Sequence, residues 1–269
     1  MRWGYNNICI KEGDQWKAAF KTKQGLYQPN VMFFGMCNSP PTIQGFIDKI
    51  YYETIIKHPP LGTYVCIYMD KIGIATKVPS FQAHIDAVSD VLRVAQKHSL
   101  FFKPEKCIFQ ALSMEYLGLI LECHQTHMDP VKVAGVQDWP MLTMVKGVQS
   151  FLGFCNYYRT FIQDFSELAI PLSALTKKGI DFKWGPEEQH MFKELKTHVT
   201  RELMLAHPRM DEPFELEVDA SGNTIRAMLL QQQLDRTKKP INFLSKMFNQ
   251  VQRNYNIFSC RILTMMWGL

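Results

Sequence analysis

The run Tyr68-Met69-Asp70-Lys71 holds the residue best placed for chemistry. Around it, Tyr64 to Thr76 is rich in β-branched and aromatic residues and is interrupted at Met69-Asp70-Lys71. That pattern predicts a strand–turn–strand hairpin with a carboxylate at its tip. A carboxylate on a tight turn is a ligand for Mg²⁺, and a pair of such ions activates a hydroxyl and neutralises a triphosphate. An aspartate in a hairpin turn also serves ordinary turn chemistry, and the tripeptide alone leaves both readings open. A second acidic candidate is Asp219. Phe214, Leu216 and Val218 alternate with Glu215, Glu217 and Asp219, so one face of a predicted strand is apolar and the other acidic. Cys123, His124 and His127 offer three zinc-type donors within five residues. No fourth ligand stands at the usual spacing, and a polar turn is the expected reading.

These residues need elements to carry them. Glu12-Gly13-Asp14 reads as a turn joining Asn7–Lys11 to Trp16–Thr22 in a hairpin. Pro40-Pro41 precedes a helix from Thr42 to about Lys57, which stops at His58-Pro59-Pro60. Ser80 is placed to cap a second helix, whose Phe81, Ile85, Val88, Leu92 and Ala95 fall at spacings of three and four. Strands are expected around Lys106–Phe109 and Tyr116–Glu122. From Val145 to Phe165 one wide apolar face (Val148, Phe151, Leu152, Cys155, Tyr158, Phe161, Ile162, Phe165) predicts a single helix. Gly179 to Gly185 reads as a linker. Pro186 then opens a helix with Glu187 and Glu188 in its first turn and Phe192, Leu195 and Val199 as its buried stripe. After the strand at Phe214, Gly222-Asn223 predicts a turn into a second strand, Leu229–Gln232. Tyr255 to Leu269 is an apolar helical pattern.

The bulk numbers narrow the class. Of the 269 residues, 46% are hydrophobic and 20% charged, which excludes a disordered or fibrous chain. Seven scattered cysteines lack the spacing of a secreted disulfide scaffold, and their odd number fits reduced thiols in the cytosol or nucleus. No apolar run approaches the roughly 20 residues of a membrane helix, and Met1–Ile10 has no apolar core of a signal peptide. A net charge of +5 is compatible with a phosphate-backbone partner without requiring one.

Seven blocks, in order along some 260 residues, resemble the pol polyprotein of gypsy-type LTR retrotransposons. They are Arg2-Trp3-Gly4-Tyr5-Asn6-Asn7; Phe34-Gly35-Met36-Cys37-Asn38-Ser39-Pro40 with Gln44; Tyr68-Met69-Asp70-Lys71; Lys103-Pro104-Glu105-Lys106-Cys107; Glu115-Tyr116-Leu117-Gly118; Val148 to Gly153 with Asn156-Tyr157-Tyr158-Arg159; and Trp184-Gly185 with Phe214 to Ser221. The resemblance implies an α+β architecture. A partial reverse-transcriptase palm of antiparallel sheet plus helices would occupy 1–122, a helical thumb and connection 123–182, and an incomplete RNase H-like domain 183–269. It also implies roles. Tyr5 would gate the incoming sugar, Gln44 would contact nucleotide or template, and Asp70 would hold a Mg²⁺ ion. Lys106, with Lys103 as the alternative, would lie near the triphosphate, and Asp219 would be the first carboxylate of the RNase H metal site. Read without the family, Tyr5 is a core tyrosine, Gln44 a solvated glutamine and the lysines exposed cations beside a proline turn. The implied partners are an RNA template and a DNA primer, whose phosphates Lys103, Lys106 and Arg159 would neutralise, with no membrane.

The departures shape the expectation of activity. Lys71 stands where the family has its second turn aspartate. Unit charges 4 Å apart interact by about 4 kcal/mol at an effective dielectric near 20, and a metal carries two. The family's first palm aspartate would fall just before Met1, and its finger residues further upstream. In the RNase H-like part Arg226 replaces a small residue, Arg261 stands where a glutamate is expected, and later ligands would fall beyond Leu269. The expected reading is an inactive derivative. The rival is a co-opted module that grips nucleic acid without catalysis, and a third reading makes both chain ends artefacts of the gene boundaries.

Overall fold

The computed structural model describes residues 1–59, 63–76, 81–201, 204–221, 224–255 and 257–268, which form two units, Met1–Gln110 and Ala111–Leu269. In the first, β1 (Phe20–Thr22) and β2 (Gly25–Tyr27) make a small exposed hairpin. The predicted pairing of Asn7–Lys11 with Trp16–Thr22 is not formed. Gly13 does turn the chain, with φ 84°, but Gln15–Ala18 then winds into a 3₁₀ turn. Cys9 bridges Val31 instead, with the Ile10 amide donating to Asn30 and that of Met32 to Ile8. The prediction failed because a turn was paired with its nearest extended neighbour, whereas the apolar partner, buried Met32, comes from further along the chain.

Helix α1 (Ser39–Lys57) takes Pro40 and Pro41 in its first turn, where their missing N–H groups cost nothing. Its buried stripe is Ile43, Ile47, Tyr51 and Thr54. Strands β3 (Thr63–Tyr68) and β4 (Lys71–Thr76) pair antiparallel with Tyr68 opposite Lys71, leaving Met69 and Asp70 as a two-residue loop. Helix α2 (Phe81–Lys97) covers the same sheet, but not with the predicted stripe. Ala83, Ala87, Val91 and Ala95 are buried, whereas Phe81, Ile85 and Leu92 are exposed. Small residues at i, i+4 spacing let α2 approach closely, and the bulkier apolar residues are rotated away. Ser80, the expected cap, lies outside the described residues.

Tyr51 donates from its hydroxyl to the Val91 carbonyl at 3.3 Å, and burial pushes that hydroxyl up to about 12. At the end of α1, Asp90 of α2 receives Lys57 Nζ at 2.5 Å, buried His58 Nε2 at 3.2 Å and Arg93 Nη1 at 2.7 Å. The hydrogen bond from Lys57 chiefly holds the Asp90 carboxyl below the usual carboxylate range. Beyond α2, the predicted strand at Lys106–Phe109 does not form. Pro104 locks φ and starts a 3₁₀ turn, Pro104–Lys106.

In the second unit β5 (Ser113–Tyr116), β6 (Leu119–Glu122), β7 (Gln125–Met128) and β8 (Leu205–Ala206) form one antiparallel sheet. The strand expected over Tyr116–Glu122 is split by a turn at Leu117-Gly118, with φ of 53° and 77°. Two positive φ values suit the twist of a tight hairpin. Cys123-His124 is the bend from β6 into β7; His127 reaches Glu122 at 3.5 Å. Asp129 caps α3 (Pro130–Gln137) by accepting the Val131 N–H at 2.9 Å.

The predicted helix over Val145–Phe165 is broken. α4 (Val145–Tyr157) gives way to a 3₁₀ turn at Arg159–Phe161, Asp164 is left-handed at φ 57°, and α5 (Phe165–Leu168) and α6 (Ile170–Ala174) follow. The apolar face is nonetheless buried: Val148, Phe151, Cys155, Tyr158, Phe161, Ile162 and Phe165 share one core. Periodicity reported burial, and the turns at 158–164 keep those residues inward without helical geometry. Burial raises the Cys155 thiol to about 12. Tyr158 donates to the Gly118 carbonyl at 3.1 Å, and Tyr157 to that of Leu117, so both hydroxyls brace the β5–β6 turn.

Helix α7 (Pro186–Thr200) contributes Phe192, Leu195 and Val199 to that core. Glu188 accepts the Gly185 N–H at 3.0 Å, satisfying a donor of its first turn. Then β9 (Glu215–Ala220), β10 (Thr224–Gln232) and β11 (Lys238–Met247) form a three-stranded antiparallel sheet with β10 central. β10 starts five residues earlier than predicted because Thr224 and Ile225 are fully buried and extend the pairing. β11 was not foreseen: Lys238-Lys239-Pro240 reads as a breaker. The register shifts between Leu229 and Leu230, where Pro240 pairs, the irregularity at which a sheet tolerates proline. α8 (Ile257–Gly268) supplies Cys260 to a small core with Ile225 and Phe248. The expected turn at Gly222-Asn223 and the side chain of Arg261 lie outside the described residues.

Replacing Asp90 by Asn should remove one carboxylate shared by Lys57, Arg93 and the His58 ring and cost about 1–2 kcal/mol at neutral pH. A carboxyl lowered by folding stabilises above its unfolded value near 3.8 and loses that contribution as pH falls through the folded value. Denaturation of wild type and Asp90→Asn should therefore differ at pH 7, and the gap should narrow as pH falls below about 3.8; a gap that stays constant there would contradict the pairing.

Candidate functional site

In the first unit Asp70 stands at the tip of the β3–β4 hairpin with its side chain 61% exposed. Met69, beside it, is left-handed at φ 54°. A non-glycine residue holds that conformation at some cost, so something must fix it. The fixing group is Gln44 of α1. Its Oε1 accepts the Met69 N–H at 2.7 Å, while its Nε2 donates to Asp48 at 2.7 Å and approaches the Ile67 carbonyl at 3.5 Å. The Gln44 amide thus ties the turn to α1, its oxygen holding Met69 and its nitrogen Asp48. The Met1 amino group donates to the Asp70 carbonyl at 2.9 Å.

Tyr5 lies in a 3₁₀ turn, Tyr5–Asn7, half-buried against the core that includes Ile67 and Met69. Its ring meets that of Phe34 edge to face, with centroids 4.9 Å apart, and Phe34 is 79% exposed. The structure thus brings Tyr5, Gln44 and the Asp70 turn onto one framework of α1 and β3–β4. Lys106 is not part of these contacts; it is exposed on the Pro104–Lys106 turn, as is Lys103 just before it. Lys71 is exposed directly after Asp70.

In the second unit Asp219 lies on the outward face of β9, opposite Arg226 of β10. Arg226 Nη2 meets Asp219 Oδ2 at 2.8 Å, and Nη1 lies 3.5 Å from Asp164 and 3.6 Å from Glu167. Arg159 is also committed. It donates to the Ser245 carbonyl, lies 3.5 Å from Asn156 Oδ1, and stacks over Phe165 at 5.6 Å.

Sequence reasoning missed the bracing role of Gln44 and the anion set around Arg226. The first had a signal: Gln44 sits beside Ile43 and three before Ile47, so it faces the hairpin that those residues pack on. The second had none, because Asp164 and Glu167 lie some 60 residues from Arg226.

A divalent ion needs several oxygens at 2.0–2.6 Å. Among the described residues, no three His, Cys, Asp or Glu side chains converge closely enough to share a metal. At Asp70 the donor set is one carboxylate beside an ammonium, and at Asp219 it is a carboxylate already paired to a guanidinium. Neither set fits the ions the family uses. None of the described helices is long and apolar enough to cross a membrane.

Residues 1–121 match the family model for reverse transcriptase (RNA-dependent DNA polymerase), and residues 184–269 match that for the RNase H-like domain found in reverse transcriptase. Relatives include the retrovirus-related Pol polyproteins from transposons gypsy (30% identical) and opus (32%) of Drosophila melanogaster. The transposon Tf2-3 polyprotein of Schizosaccharomyces pombe is 28% identical. The alignments cover 99–100% of this chain but 20–27% of those proteins, so the chain spans about a quarter or less of their length. Among solved structures, foamy viral protease–reverse transcriptase in complex with RNA/DNA hybrid superposes with a TM-score of 0.78 at 20% identity, covering all of this chain and 35% of that one. The same enzyme with dsDNA gives 0.74 at 19% identity, over 97% and 52%. These likenesses show the fold. Reverse transcriptases as a family work with divalent metal ions. With both family models matched in order and retrotransposon Pol proteins aligned end to end with it, the chain belongs to the reverse transcriptase–RNase H region of LTR-retrotransposon Pol.

Proposed function

We propose that this chain is a reverse-transcriptase segment that no longer performs two-metal nucleotide transfer and whose remaining capacity is weak, phosphate-directed contact with primer–template. The observation that carries the reading is the Met69-Asp70 tip, where the residue after Asp70 is the exposed cation Lys71. Its ammonium adds positive charge where the reaction needs negative charge. Gln44, Tyr5 and Asp70 keep a shared framework, so the palm scaffold outlasts its chemistry. The solved relatives hold RNA/DNA hybrid and dsDNA, which supports a nucleic-acid partner here. The RNA template, DNA primer and Mg²⁺ of the ancestral reaction belong to that reading, set in the cytosol or nucleus.

Purified protein should extend no primed template in Mg²⁺ or Mn²⁺ beyond an Asp70→Ala control; clear extension by the wild type alone would overturn the proposal.

Binding has its own test. Lys103 and Lys106 are exposed and available to phosphate, whereas Arg159 is held by Ser245 and Asn156. Duplex should bind non-specifically at roughly micromolar Kd or weaker, with affinity falling steeply as salt rises. Lys103→Ala and Lys106→Ala should each flatten the log K–log salt slope by about 1, and Arg159→Ala should instead lower thermal stability. A salt-insensitive Kd, or a strong preference for RNA–DNA hybrid over both pure duplexes, would speak for a dedicated binding module instead.

A further inference from the structure

Arg226 gathers three carboxylates from two parts of the second unit. Asp219 faces it across the β9–β10 pair, with Nη2 to Oδ2 at 2.8 Å. Asp164, in the left-handed residue before α5, and Glu167, within α5, lie 3.5 and 3.6 Å from Nη1. The Nε of Arg226 is buried without a hydrogen-bond partner, and the guanidinium is held through its terminal nitrogens by the three carboxylates. Asp164, Asp219 and Arg226 line a cavity of about 210 Å³ together with Gln163, Met228 and Phe243.

We infer that Arg226 is a resident cation that occupies, at Asp219, the position the family gives to a divalent ion, and turns that site into a metal-independent clamp. The clamp ties the β9–β10 hairpin to α5. The inference rests on Asp219 marking the RNase H-like site. It also uses a chemical asymmetry between a guanidinium and a metal ion. Mg²⁺ demands several oxygens in close, near-octahedral array, and one Asp219 oxygen already accepts a short hydrogen bond. The guanidinium's planar fork sends one nitrogen to β9 and the other to α5, a division that a lysine ammonium cannot match. Ser166 and Ser245 reinforce the same junction: the Ser166 amide donates to Ser245 Oγ at 2.8 Å.

The test is an Mn²⁺ titration of the intact chain followed by water-proton relaxation, with melting temperature measured in EDTA and in saturating Mn²⁺. Wild type and Asp219→Asn should take up Mn²⁺ indistinguishably, and the melting temperature of the wild type should be the same in both conditions. Asp219→Asn should melt on the order of 2–4 °C lower, equally with and without metal. Arg226→Lys should fall below wild type too, since one ammonium reaches one partner, and remain insensitive to Mn²⁺. Mn²⁺ held by wild type and released by Asp219→Asn would overturn the inference, and the wild-type titration alone decides if a variant fails to fold. An unchanged melting temperature in Asp219→Asn would remove the clamp. These readouts are independent of primer extension, so a failure here leaves the polymerase reading standing and a failure there leaves this one.

Discussion

A glutamine amide crossing from α1 to the β3–β4 loop decides where the Asp70 carboxylate stands. The Gln44 oxygen satisfies the Met69 N–H, which would otherwise need another partner, and so restrains the left-handed backbone there. Each strand of the hairpin has six residues, and a two-residue loop between paired strands favours positive φ, as at Met69. α1 in turn is held by Ile43, Ile47 and Tyr51 against β3 and α2. The tip is therefore built from the core outwards, with apolar burial fixing the helix and one polar side chain transmitting that position to the loop. This order of dependence ties the position of the loop to the core and not to the residues at its tip.

The second unit shows the same economy with opposite charge. A single guanidinium gathers Asp164, Glu167 and Asp219, and a second, Arg159, is fixed by a carbonyl and an aromatic face. Exposed ion pairs taken one at a time contribute little. Here the cation is shared and partly enclosed, so its entropy is lost once for several partners. Both arginines join the helical segment at 156–168 to the sheet of β9, β10 and β11. The thumb-like and RNase H-like segments both fall within one compact unit, Ala111–Leu269.

Much of this was legible in the sequence where one residue type leaves few options. Two prolines at the head of α1, Pro186 with two acids behind it, and the alternation from Phe214 to Asp219 each predict a local geometry that the chain adopts. Legibility failed where burial and secondary structure part company. The stripe from Val148 to Phe165 is buried, but the chain covers it with a helix, two turns and a shorter helix. On α2 the large apolar residues suggested the wrong face, because alanines make the closer contact. The site candidates were named from what the family resemblance implies. Their interactions were not: Gln44 with Met69, or Arg226 with Asp164, are contacts between residues that no local pattern links.

The buried thiol of Cys155 has a practical consequence. Only the thiolate attacks an alkylating reagent, and a sulfur held protonated up to about pH 12 inside a sealed core offers almost none. Cys9, Cys37, Cys66 and Cys123 are exposed and modify readily. Slow labelling of Cys155 therefore reports each occasion on which the core around α4 opens, as slowly exchanging amides do. The sulfur is a built-in clock for breathing of the helical segment, and it needs no substrate.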